Sequence, residues 1–108
     1  MSPEVASQLI EALEPIRSLV RLTQNDGHAY GWDWPLFIPV HGYLETAKSG
    51  PLALSAVASI DVQKEEVKER GRLIPPTIID HETEIIAALS KLRLRFEVTT
   101  THIRIPNE

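Results

Sequence analysis

"LALSAVASIDVQ", residues 52–63, is the stretch whose reading decides the fold. Leu54, Ala56, Ala58, Ile60 and Val62 share one parity, while Ser55, Ser59, Asp61 and Gln63 share the other. Side chains on a strand alternate between faces, so this pattern predicts a half-buried strand with an apolar face on a core and a polar face toward water. The small alanines leave room for something bulky above them. A candidate lies upstream in "HAYGWDWPLFIPVHGY", residues 28–43, which holds five of the six aromatic side chains. His28, Tyr30, Trp32 and Trp34 again share a parity, which predicts one strand face carrying every large ring. Before it, "NDG" at 25–27 supplies residues that tolerate the positive φ of a tight reversal, so residues 17–24 and the aromatic stretch are expected to form a hairpin. Pro35 and Pro39 should end that second strand or mark an edge, because proline donates no ladder hydrogen bond. "GYLETAKSGP", residues 42–51, adds a short strand and a Ser-Gly-Pro turn.

Helices flank these strands. Ser2 is placed to cap a helix whose first position suits Pro3 and whose Val5, Leu9 and Leu13 recur every four residues; Pro15 ends or kinks it. A second helix is expected to start near Asp80, with Glu82 and Glu84 at its positive end, Lys91 and Arg93 at the other, and Ile85, Ile86, Leu89 and Leu92 as its buried stripe. "RFEVTTTHIRI", residues 95–105, reads as a closing hairpin with Phe96, Val98, Ile103 and Ile105 inward and Arg95, Glu97, His102 and Arg104 outward. Between them, "KEEVKERGR" at 64–72 holds seven charges around one valine and is expected to be a solvated loop or strand extension. The order predicts an α+β fold, an antiparallel sheet of about five to six strands with two helices on one face, as one domain over residues 1–108. Leu54, Ala56, Ala58 and Ile60 should be buried, with Val5, Leu9, Ile86 and Leu89 packed on the same core.

Composition narrows the function. With 43% hydrophobic and 24% charged residues, the chain has the make-up of an ordinary water-soluble domain, and no apolar run reaches the roughly 18 residues of a membrane span. "MSPEVASQLIEALE" carries acids where a secretory signal carries bases, so a cytoplasmic protein is expected. Zero cysteines exclude disulfides, thiolate catalysis and Cys-ligated metals. A net charge of −4, with three bases against six acids in residues 1–54 and eight against nine in 55–108, argues against a nucleic-acid binder, which needs a basic footprint.

Four groups of residues remain as candidate sites. The aromatic stripe either packs as core or stands exposed at a proline-marked edge; in the second case Tyr30, Trp32, Asp33, Trp34 and Tyr43 form a partner-binding surface, since Trp and Tyr anchor interfaces. Asp33 with His28 and His41 could form an acid/base set for a small ligand or an enzyme, although His28 and Asp33 have opposite strand parity. Asp80, His81, Glu82 and Glu84 have metal-ligand composition, but His81 lacks a partner histidine four residues on, and helix capping explains the acids. Arg93, Arg95, His102 and Arg104 could make a small cationic face for an acidic partner, or simply a solvated strand face. No phosphate-cradling loop, nucleophile elbow or dinucleotide fingerprint is present in the sequence, so no catalytic residue, cofactor or metal is expected.

Together, "HAYGWDWPLFIPVHGY", "GRLIPP" and "FEVTTTHIRI" on a compact, acidic, cysteine-free chain resemble small uncharacterised bacterial α+β proteins that include immunity-type members. The likeness spans roughly residues 28 to 105. It implies a cytoplasmic, non-enzymatic protein that works by binding and that blocks a toxin. A small-ligand binder or enzyme, and a homo-oligomer whose interface uses the aromatic edge, are the other two readings.

Overall fold

The computed structural model describes residues 1–34 and 42–108. The readings of Pro35, of "LFIPV", of Pro39 and of His41 lie outside those residues. Helix α1 (Pro3–Leu13) begins as the sequence predicts: the Ser2 hydroxyl accepts from the Val5 N–H at 3.2 Å, and Pro3 takes the first turn, where its missing donor costs nothing. Pro15 converts the next turn to a 3-10 helix, Glu14–Ile16. Arg17 then takes a left-handed conformation (φ 63°) that turns the chain into β1 (Val20–Gln24).

Next come β2 (Tyr43–Thr46) and β3 (Gly50–Ala53), paired antiparallel as a separate two-stranded sheet. A 3-10 turn, Leu54–Ala56, separates β3 from β4 (Val57–Gln63). The deciding stretch is therefore two strands and a turn. The turn is held by the side-chain amide of Asn107, which donates to the carbonyls of Leu54 and Val57 at 2.7 Å each, and by the Leu54 N–H on the Gly42 carbonyl. This breaks the alternation at its start: Leu54 and Ile60 are buried as expected, Ala56 and Ala58 only half-buried, and Val57, of the opposite parity, is buried instead.

After β4 the chain makes β5 (Glu65–Lys68) and β6 (Thr77–Asp80), an antiparallel arm, then helix α2 (Glu82–Lys91), β7 (Glu97–Val98) and β8 (His102–Pro106). The main sheet runs β1-β4-β8-β7, antiparallel throughout. The fold is α+β, with its strands divided between a four-stranded main sheet and two two-stranded ones.

One face of the main sheet carries Val20, Leu22, Ile60, Val62, Ile103 and Ile105, which form a single core with Leu9 and Leu13 of α1 and Ile85 and Leu89 of α2. Ile86 packs against that core half-buried, and Val5 is half-buried. Leu44 of β2 closes one side. Helix α2 starts one residue later than expected, with His81 at the cap position, while the Asp80 carboxylate still accepts from the Glu82 N–H at 2.9 Å. It ends where Arg93 adopts φ 58°, letting the Leu94 and Arg93 N–H groups bond the Leu89 and Ser90 carbonyls, a terminus that usually employs glycine.

Candidate functional site

The face of the main sheet away from the helices holds charge. Asp61, in the middle of β4, has no solvent exposure. It belongs to the polar parity expected to face water, but its neighbours cover it. From β1, Arg21 donates to its Oδ2 through Nε (3.0 Å) and Nη2 (2.7 Å). From β8, on the other side, Arg104 donates through Nε to Oδ1 at 3.2 Å. The pairing places these side chains in one row, since Arg21, Asp61 and Arg104 are successive cross-strand partners. Thr23 and His102 approach Oδ2 at 3.5 and 4.0 Å. Burial holds the His102 imidazole below its ordinary value of 6.5 despite the Asp61 charge, because the nearby Arg21 and Arg104 oppose a further cation.

Trp32 lies over this cluster. Its ring sits 4.5 Å from the Arg21 guanidinium carbon and 5.8 Å, tilted, from the His102 ring. The aromatic stretch does pair with β1, as the "NDG" reversal predicts, but raggedly, through bridges Val20–Asp33 and Thr23–Ala29. From Val20 to Thr23 is three positions and from Ala29 to Asp33 is four, so one extra residue bulges between the bridges and shifts the facing. This corrects the single aromatic face expected from parity: Tyr30 packs against the core, whereas Trp32 goes to the charged face. Trp34 and Tyr43 are 46% and 48% exposed.

Asp33 spends its carboxylate on the Trp34 N–H, and His28 stacks edge-on against Tyr30 at 4.6 Å. Among the described residues no hydrogen bond or ion pair joins His28 to Asp33. Arg95 pairs with Glu108 and Arg93 caps α2. Of the expected cationic face, His102 and Arg104 are thus brought together, with Arg21 and Asp61 as members the reading missed.

His81 lies between two carboxylates, Nε2 2.8 Å from Glu66 and Nδ1 3.4 Å from Glu84. The second is an ion-pair approach without hydrogen-bond geometry. The Glu66 hydrogen bond, outweighing burial, raises the imidazole above 6.5 and lowers the Glu66 carboxyl. Glu82 pairs with Lys64 at 3.1 Å, so Asp80, Glu82 and Glu84 serve the helix and its ion pairs.

Of the β5–β6 arm, β5 matches the strand extension expected of residues 64–72, while β6 had no counterpart in the sequence reading. Val67 and Ile78 are cross-strand partners and both are more than half exposed, as is Ile74; Leu73, near the tip, is 97% exposed. A groove of about 340 Å³ runs from Trp34 to this arm, lined by Arg17, Leu19, Trp34, Gln63, Glu66 and Val67 among others. Gln63 is the cross-strand partner of His102, so the groove borders the charged face.

A family model matches residues 20–106, from the first residue of β1 to the last of β8. The chain belongs to DUF6678, a family of unknown function. No curated protein and no solved structure matches it. The DUF6678 span takes in the whole main sheet, the arm, the groove's Trp34 side and the Arg21–Asp61–Arg104 row, and leaves α1 outside. Among the described residues, no helix is long and apolar enough to cross a membrane.

Proposed function

We propose that this DUF6678 chain is a non-enzymatic cytoplasmic protein that acts by binding another protein, as an immunity-type protein does when it occupies and blocks a toxin. The observation that carries this reading is the continuous surface from Trp34, through the groove, to Val67 and Ile78 on the β5–β6 arm. Two-stranded hairpins are marginal in water on their own, and apolar side chains that stay exposed on such an arm gain stability when a partner covers them. Trp34, part of the aromatic surface expected from sequence, stands at one end of it. Of the acid/base reading, His28 and Asp33 share no hydrogen bond or ion pair, and His41 lies outside the described residues.

The chain expressed together with the toxic product of a neighbouring gene is expected to restore growth and to co-elute with it as a complex. Growth that is not restored, with the chain eluting alone, removes the reading. Sedimentation of the isolated chain tests the remaining occupant, a second copy: a mass that doubles with concentration assigns the surface to self-association.

A further inference from the structure

Among the described residues, one edge of β5 has no partner strand. The register of the arm, with the His81 N–H on the Lys64 carbonyl at 2.7 Å, puts the main-chain bonds to β6 on Lys64, Glu66 and Lys68. In an antiparallel pair the residues between these turn their N–H and C=O groups the other way, so those of Glu65 and Val67 point away from β6. Gln63, just before them, turns its N–H toward β1, where the Leu19 carbonyl accepts it at 2.9 Å. Beyond Leu19 the line of β1 stops, because Arg17 at φ 63° turns the chain. Among the described residues no main-chain group bonds the N–H or C=O of Glu65 or Val67 on that side. The groove of about 340 Å³ lies there: its lining includes Leu19, Gln63, Glu65, Val67 and Trp34, and no residue of β6.

Resting on the reading of the chain as a binding protein, we propose that the partner presents an extended segment that adds to β5 as an antiparallel strand, continuing the line of β1 along the groove. Donors and acceptors left free on alternate residues are matched by an extended chain, whereas a helix has spent its own main-chain groups internally. Neither a proline nor a bulge, two of the devices that close such an edge, interrupts β5. Its charges choose the occupant. Glu65, and Glu69 one residue past the strand, share the parity of Val67, while Lys68 has the other. The added strand therefore meets an acid, an apolar side chain and an acid on one face. A segment with a base, an apolar residue and a base at alternate positions is complementary, since opposite charges across a ladder stabilise it and like charges do not. A second copy of the chain fits poorly, because two β5 strands paired antiparallel about Val67 set Glu65 against Glu69 twice. Of the other charges lining the groove, Glu66 bonds His81 at 2.8 Å, and Arg17 stands where β1 ends, so the base facing Glu69, at the far end of β5, contributes more than the one facing Glu65.

The test uses the full chain and a blocked peptide, Thr-Lys-Thr-Val-Thr-Lys-Thr, whose valine faces Val67 with a lysine opposite each of Glu65 and Glu69. Backbone ¹H–¹⁵N resonances report the edge directly. The peptide is expected to shift the Glu65 and Val67 amides saturably and to slow their hydrogen exchange. Methylating the valine nitrogen removes the donor to the Val67 carbonyl and should weaken the peptide about tenfold or more. Methylating the nitrogen of the threonine before it, which faces away from β5, should leave the affinity nearly unchanged. Glutamate in place of both lysines should weaken binding severalfold. Val67→Pro deletes an N–H that faces the groove and takes no part in the bonds to β6, so the chain should stay folded and lose the peptide; the methylated pair needs no change to the chain and decides even where the proline unfolds the arm. No shift with the lysine peptide, equal losses from the two methyl groups, or tighter binding of the glutamate peptide each overturns the proposal. So does a mass that doubles with concentration while the same two amides become protected, which assigns the edge to a second copy. A partner complex unchanged by Val67→Pro in a folded chain overturns it while leaving the binding reading intact, whereas the absence of any complex with the unaltered chain removes that reading itself.

Discussion

Asp61→Asn isolates the electrostatic part of the charged row. The substitution keeps shape and volume and removes only the charge that three hydrogen bonds of 2.7–3.2 Å converge on. An amide oxygen can still accept from one arginine, but its NH₂ then points at the other. Breaking a buried ion pair by removing one partner costs about 3–5 kcal/mol, chiefly through the charge left stranded. Here Arg21 and Arg104 keep 22% and 44% of their side-chain surface in water, so neither is fully stranded, and the low end, about 3 kcal/mol, is expected. For a chain of this size that corresponds to a Tm lower by roughly 12–20 °C. Urea unfolding at pH 7, followed by tryptophan fluorescence, measures it. The loss should persist in 0.5 M salt, since a buried network is weakly screened, and the triple substitution Arg21→Met, Asp61→Leu, Arg104→Met, which leaves no charge stranded, should fold about as well as the unaltered chain. A loss below about 1 kcal/mol for Asp61→Asn, in the range of an exposed pair, would show that Asp61 is not held as described.

Trp32→Ala is expected to cost about 2–3 kcal/mol, less than a fully buried ring but including its contact with Arg21, whereas Trp34→Ala should change folding by no more than about 0.5 kcal/mol and weaken partner binding by about 1 kcal/mol or more; equal losses in urea unfolding would place both rings in the core. Stability should peak near pH 6.5, the ordinary histidine value. His102, lowered in the folded chain, takes up its proton more readily when unfolded, so stability falls as pH drops below 6.5; His81, raised, holds its proton more tightly when folded, so the stability it gives below 6.5 is lost as pH rises through its folded value. Unfolding measured from pH 5 to 8 should lose its acid limb in His102→Phe and its alkaline limb in His81→Gln. Arg93→Gly, relieving a side chain at φ 58°, should raise stability by about 0.5–1 kcal/mol, read from the urea midpoint.

The regular parts of the fold were legible because periodicity and capping are local. Leu9 and Leu13, Ile85 and Leu89, and Ile103 and Ile105 are all buried where their spacing puts them, and Ser2 caps α1. Parity also put Asp61 on the right face. It could not show that Arg21 and Arg104, distant in sequence, would close over it; the available signal was a charge at the same polar phase in the interior of three separate strands. The bulge that sends Tyr30 and Trp32 to opposite faces is set by pairing with β1, which no spacing within residues 28–34 encodes. The arm was half legible: the strand extension offered for residues 64–72 holds at β5, but the seven charges of "KEEVKERGR" gave Val67 no apolar face to show, and nothing local pairs it with "TIID". The sign of β6 was "TIID", residues 77–80, whose Thr77, Ile78 and Ile79 are β-branched.

The binding surface is tested most directly by the dissociation constant of the partner complex for the unaltered chain and for Val67→Ser with Ile78→Ser. These side chains are more than half exposed, so folding should be unaffected, while loss of two apolar contacts at the centre of an interface should weaken the complex at least about tenfold. A dissociation constant unchanged in the double variant, with folding intact, would contradict the assignment of the arm and groove as the surface through which this chain acts.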